Sequence, residues 1–266
     1  MEMTKNKAFT LIELLVVIAI IALLLSVMTP ALRKAKIYAQ SIVCMSNLNS
    51  LSKCWHLYAE DHKGELVGGF TQGKAQGDWV NVPIGTKTDR IEREKDGIMD
   101  GLLYDYAQDV QLYHCPSDRG IQLFNGGYRS YSITALMNGE GYNDGKNATD
   151  KYFAIKMTDI VNSASRIVFL ENTDDRGYNM GSWMMPISKT PTKWIDPLAV
   201  WHGNRSTFGF ADGHAETHAW VDKSTLEMTD IKTPAIRIDY AIPSNESHDD
   251  YFWMLRGYMP KGQLPN

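Results

Sequence analysis

Residues 9–28 read FTLIELLVVIAIIALLLSVM, an apolar run with neither the two-residue alternation of a half-buried strand nor the single stripe of a surface helix. At about 1.5 Å per residue such a helix covers roughly the 30 Å of a hydrocarbon core. A spanning helix is expected. Beyond Pro30, a kink candidate, apolar positions recur at Leu32, Ala35, Ala39 and Ile42, then at Leu48, Leu51, Trp55 and Tyr58. Spacings of three and four predict an amphipathic continuation with one face against a head. DHKGE ends it near residues 61–64, with Gly64 suited to a C-cap.

From residue 65 the pattern changes to short β-like runs, GGYRSYSI, SRIVFLE and STFGFADGHAETHAW, separated by glycine-rich text. The fold class is therefore α+β, a long helix packed on an antiparallel sheet. Four segments follow: a leader at 1–8, a transmembrane helix at 9–29, its amphipathic continuation at 30–64, and a head at 65–266. Residues 138–151 and 174–197 read as exposed irregular loops.

Composition adds three constraints. A chain of 266 residues, 44% hydrophobic and 22% charged, has the make-up of a folded domain rather than a disordered one. The formal net charge of −4 gives no general attraction for nucleic acid. Three cysteines, Cys44, Cys54 and Cys115, without a C-x-x-C pair, argue against a zinc ribbon or a thioredoxin-like motif. If the head is exported, Cys44–Cys115 is the preferred disulfide and Cys54–Cys115 is almost as suitable. Lys5 and Lys7 ahead of the span place the N-terminus in the cytoplasm and the head outside, although Arg33, Lys34 and Lys36 beyond it run against that bias.

Glu13 is the anomaly of the span. Acidic residues near the centre of a membrane helix cost about 2.5–3.5 kcal/mol on insertion scales, less near its end, so a compensating partner is expected. With this residue in place, KAFTLIELLVVIAIIALL resembles the signal of type IV prepilins and type II secretion pseudopilins. The resemblance implies cleavage by a prepilin peptidase between Ala8 and Phe9, N-methylation of Phe9, and retention of Glu13 for assembly. Ala8 stands where that family usually has glycine. The physical logic agrees, because a new ammonium in lipid and a carboxylate on an adjacent subunit each make the other tolerable. A plain signal anchor, with Glu13 at the headgroups and no trimming, is the competing reading.

WHGNRSTFGFADGH fits the H-x9-DG signature of a prepilin-processing-associated domain through His202, Asp212 and Gly213. Asp-Gly between two alternating runs predicts a hairpin with a type I′ turn. Phe208 and Phe210 then share a buried side across from Ala215 and Thr217, and Trp220 closes the second strand. His202, Asp212, His214 and His218 are all zinc-ligating types. His214 and His218, four apart on a strand, nevertheless lie about 13 Å apart, too far to share one ion without a sharp bend. A structural role is favoured instead: His202 holding the Asp212 turn, His214 and His218 facing solvent, and no metal. YHCPSD at 113–118 resembles a segment of pilin-like proteins and reads as a strand ending at a proline turn, with Cys115 buried or bridged.

These readings describe a filament subunit of a type II secretion pseudopilus or type IV pilus-like structure, anchored in the inner membrane. Its implied partners are prepilin peptidase, other pilin subunits, an assembly platform and lipid. No nucleophile elbow, phosphate loop or dinucleotide fingerprint points to an enzyme. The alternative is a membrane-tethered binding module using Trp183, Trp194, Trp201 and Trp253, although such aromatics are more often core. No cofactor is expected; calcium at Asp61 and Glu65 is a weaker reading than a solvated turn.

Overall fold

The computed structural model describes residues 10–69, 78–120, 127–138, 152–173, 181–230 and 239–262. It divides into two compact units, Met1–Ala39 and Gln40–Asn266. One helix, α1 (Leu11–Asp61), contributes to both and continues through Pro30.

In the first unit the apolar side chains of α1 are left uncovered by the described residues. Leu11 is 78% exposed and Val27 69% exposed, and the exposed large hydrophobics between them occur on every side of the helix. This is the pattern of a helix whose solvent is lipid. Its hydroxyls are satisfied internally, Ser26 Oγ donating to the Leu23 carbonyl and Thr29 Oγ1 to the Leu25 carbonyl, both at 2.7 Å.

In the second unit α1 buries Ser41, Cys44, Leu48, Leu51, Trp55 and Tyr58, a stripe with the expected spacing. The stripe begins later than the sequence implies, because Leu32 and Ile42 are exposed, as are Ala35 and Ala39. The helix ends as expected: Gly64 takes φ +82° and donates its N–H to the Ala59 carbonyl at 2.7 Å.

The sheet is built from β1 (Tyr131–Thr134), β2 (Ile167–Glu171), β3 (Ser182–Trp183), β4 (Arg205–Phe210) and β5 (Ala215–Ala219), in spatial order β3-β1-β2-β4-β5. Every neighbouring pair is antiparallel except β1 with β3, which is parallel, so the sheet is mixed rather than wholly antiparallel. Strand β3 lies within the stretch read as an exposed loop. Trp183, Met185 and Trp194 from that stretch are buried, because the sheet edge needs an apolar cover. The other expected loop, apart from Asn138, lies outside the described residues.

Two cores flank the sheet. One joins Cys44, Leu48, Leu51 and Trp55 of α1 to Tyr131, Ile133 and Phe169. The other joins Leu170, Phe208 and Phe210 to Tyr251, Met254 and Tyr258 of the C-terminal helix Asp249–Tyr258. Close approach on the α1 side needs Gly209, where an added Cβ would sit 2.8 Å from Ser52 Oγ and 3.4 Å from the Leu48 carbonyl oxygen.

Candidate functional site

Among the buried polar groups of the head, four side chains form a cluster of metal-ligating types: Cys44, Cys115, Glu171 and His202. Cys44 belongs to the buried stripe of α1 and Glu171 ends β2. Cys115 follows a 3-10 turn at Val110–Tyr113, where the sequence reading expects a strand. Asp109 caps that turn, its Oδ1 accepting from the Gln111 N–H at 2.8 Å. His202 occupies the bend before β4. Their four ligating atoms lie within 4.8 Å of one another.

Within the cluster, His202 Nε2 lies 2.8 Å from Glu171 Oε1 and 3.5 Å from Cys115 Sγ. Cys44 Sγ and Cys115 Sγ are 2.6 Å apart, and the three cysteines are unbridged. The second carboxylate oxygen of Glu171 accepts the Thr207 N–H at 2.9 Å, and the other ring nitrogen of His202 faces Ser117 Oγ at 3.5 Å. Burial pulls the His202 pKa down, but its hydrogen bonds to Cys44 and Glu171 outweigh that and push it up to about 10. The hydrogen bond with Cys115 holds Cys44 low, whereas burial pushes Cys115 up. The His202 imidazole thus lies between the Glu171 carboxyl group and the Cys115 sulfur.

This arrangement corrects the expected role of His202, which does not hold the Asp212 turn. A residue at the edge of the hairpin can swing into the core, and there Glu171 is the stronger partner. Asp212 instead caps its own loop, accepting the His214 N–H at 3.1 Å and meeting His214 Nδ1 at 2.5 Å. The β4–β5 hairpin itself is present, but its turn is not type I′. Only Gly213 has positive φ, +94°, and its N–H donates to the Phe210 carbonyl at 2.9 Å. The loop is thus a type I turn closed by a left-handed glycine.

Phe208 and Phe210 share a buried side as expected, yet Glu216 rather than Thr217 or Ala215 stands across from Phe208; Thr217 pairs with Thr207 and Ala215 with Gly209. His214 stacks on Phe210, partly exposed, while His218 leaves the solvent face to stack on Trp253 at 3.6 Å. Trp183 and Trp194 are fully buried, and Trp201 and Trp253 pack partly buried against the two cores, so the four do not form an exposed binding platform. Asp61 accepts from the Tyr106 hydroxyl at 2.9 Å and Glu65 faces Lys156 at 3.8 Å.

At the other end of the chain, Thr10 and Glu13 form a closed unit. Glu13 Oε2 accepts from both the N–H and the hydroxyl of Thr10 at 2.8 Å, and the Glu13 N–H donates to Thr10 Oγ1 at 3.3 Å. This is a capping box in which both residues satisfy donors at the start of α1. It partly solves the problem of a carboxylate in an apolar helix, since it also satisfies backbone donors that lipid cannot. The T-x-x-E spacing carries that signal in the sequence, beside the assembly role that the prepilin resemblance implies for Glu13. Ala8 and Phe9, the expected cleavage and methylation positions, lie outside the described residues.

Residues 3–29 match the family model of the prokaryotic N-terminal methylation motif. The chain carries a type IV prepilin-like signal. The signal coincides with the exposed apolar part of α1, the segment long and apolar enough to cross a membrane. It ends before the head, and the H-x9-DG region lies outside the match. No curated protein matches the chain, and no solved structure matches it. The signal supports a pilin-like precursor that is processed by a prepilin peptidase and assembles with other pilin subunits, and its apolar helix fits anchorage in the inner membrane.

Proposed function

We propose that this chain is the precursor of a structural subunit of a type II secretion pseudopilus or type IV pilus-like filament. The observation that carries the reading is the prepilin-like signal at residues 3–29, which places Glu13 on an apolar helix four residues after an aromatic residue. Prepilin peptidase cuts between Ala8 and Phe9 and methylates the new amine, with the N-terminus cytoplasmic and the head extracytoplasmic. On extraction by the assembly platform, Glu13 pairs with the Phe9 ammonium of a neighbouring subunit. The attraction of unit charges at short range is several kcal/mol in a medium of effective dielectric about 20, enough to register one helix against the next. The chain supplies packing and register and performs no turnover.

Two substitutions separate this role from capping. Glu13→Ala removes both the counter-ion and the capping box, whereas Glu13→Gln keeps a side chain that can complete the box. Both variants are expected to insert in the membrane and to abolish filament assembly, read by shearing cells and imaging the filament fraction. Wild-type filament yield from Glu13→Gln would contradict the pairing mechanism.

A further inference from the structure

Cys44, Cys115, Glu171 and His202 converge from four separate parts of the head, and each is at most 4% exposed. We propose that these four side chains bind one zinc ion as a closed, structural site that ties the buried stripe of α1 to the end of β2. The donor set selects the metal. Two sulfurs and an imidazole disfavour magnesium and calcium, which take oxygen ligands, and four protein ligands without a solvent position describe a structural rather than a catalytic zinc.

Orientation supports the same conclusion. The Nε2 edge of His202 points toward Glu171 Oε1 and Cys115 Sγ, while its other nitrogen faces Ser117. The remaining oxygen of Glu171 is held by the Thr207 N–H, and the Cys115 N–H is held by Ser130 Oγ at 3.0 Å. Ligands steadied from behind in this way are the usual surroundings of a metal centre. A tetrahedral zinc with bonds of about 2.3 Å separates two thiolates by roughly 3.7 Å, so binding widens the present 2.6 Å contact by about 1 Å. Cys115 can supply that movement from a turn, whereas Cys44 is fixed in a helix.

A Cys44–Cys115 disulfide is the rival, and it accounts for only half of the cluster. It leaves a carboxylate and an imidazole in a dry core, where the attraction within an ion pair often fails to offset desolvation. A divalent cation gives all four groups a common partner. The three histidine and aspartate positions weighed with His202 in the sequence are not ligands here, because Asp212 and His214 bond each other and His218 stacks on Trp253.

The test uses the full-length chain, extracted in detergent under reducing, oxygen-free conditions without chelator or metal-affinity resin. Elemental mass spectrometry is expected to find about one zinc per chain, and replacement by cobalt(II) to produce sulfur-to-metal charge-transfer absorption with the ligand-field bands of a tetrahedral ion. Cys44→Ser and Glu171→Gln should lose the zinc, and Cys54→Ser should retain it. Should either ligand variant fail to fold, titrating the wild-type chain with a mercurial thiol reagent should release the zinc in step with thiol modification. Absence of zinc, a Cys44–Cys115 linkage in peptides from membranes alkylated before lysis, or retention of zinc by the folded ligand variants would each overturn the proposal.

Discussion

The two parts of α1 show how one helix can be written for two solvents. Between residues 11 and 28 the side chains are apolar on every side and exposed, and the exceptions, Glu13 and Ser26, bond back to the helix or its cap. Between residues 41 and 60 the buried positions follow one stripe that includes Ser41, Asn47 and Ser52, with charged residues such as Lys53 and Glu60 left exposed. In the first part polarity must be cancelled locally, because lipid offers no hydrogen bonds. In the second, a buried polar group can be met by another segment, as where Asn47 donates to the His114 carbonyl at 3.1 Å, although Ser52 Oγ is buried without a hydrogen-bond partner.

That contrast can be broken from the head side. His202→Ala is expected to have the largest effect, because it removes the buried partner of Glu171 Oε1; loss of one partner of a buried pair costs about 3–5 kcal/mol. Detergent-phase thermal unfolding should show the loss, while membrane insertion stays unchanged. An unaltered melting curve would mean that the cluster does not hold the head together. Gly209→Ala should follow at about 1–3 kcal/mol, the usual range for overpacking, because the new methyl meets Ser52 and the backbone of Leu48. Full stability in that variant would show that α1 and β4 are free to separate.

The smallest effect is a pH dependence at Asp78. Burial pushes its carboxyl up to about 6. A folded-state pKa above the unfolded value means that the folded chain holds the proton more tightly, so this residue's contribution to stability improves as pH falls from 7 through about 6. Asp78→Asn should therefore be more stable than the wild-type chain at pH 7, and the difference should shrink on acidification and vanish near pH 4. Equal stability across that range would place Asp78 in contact with water. The difference between the two chains is the informative quantity, because Asp118 is also raised to about 6 by burial and contributes to both.

What was legible in the sequence depended on how local its cause is. The apolar run, the end of α1 at Gly64 and the β4–β5 hairpin each follow from neighbouring residues, and each is present. The partner of His202 is not local. Glu171 closes the apolar run SRIVFLE, and only the pairing of β2 between β1 and β4 brings it to the histidine. Nor could spacing tell that the apolar positions at Leu32 and Ile42 belong with the exposed part of α1, since they keep the same period as the buried stripe. The two-residue strand β3 is equally hidden, being defined by its neighbour rather than by any alternation of its own.

Membrane anchorage rests on the exposed apolar helix, whereas filament assembly rests on the prepilin-like signal and on Glu13. Intact-mass and N-terminal peptide mass spectrometry of the chain isolated from its native membranes tests that second step most directly. The expected result is a mature chain that begins at N-methylated Phe9. A chain that keeps Met1 would contradict it and leave a plain signal anchor.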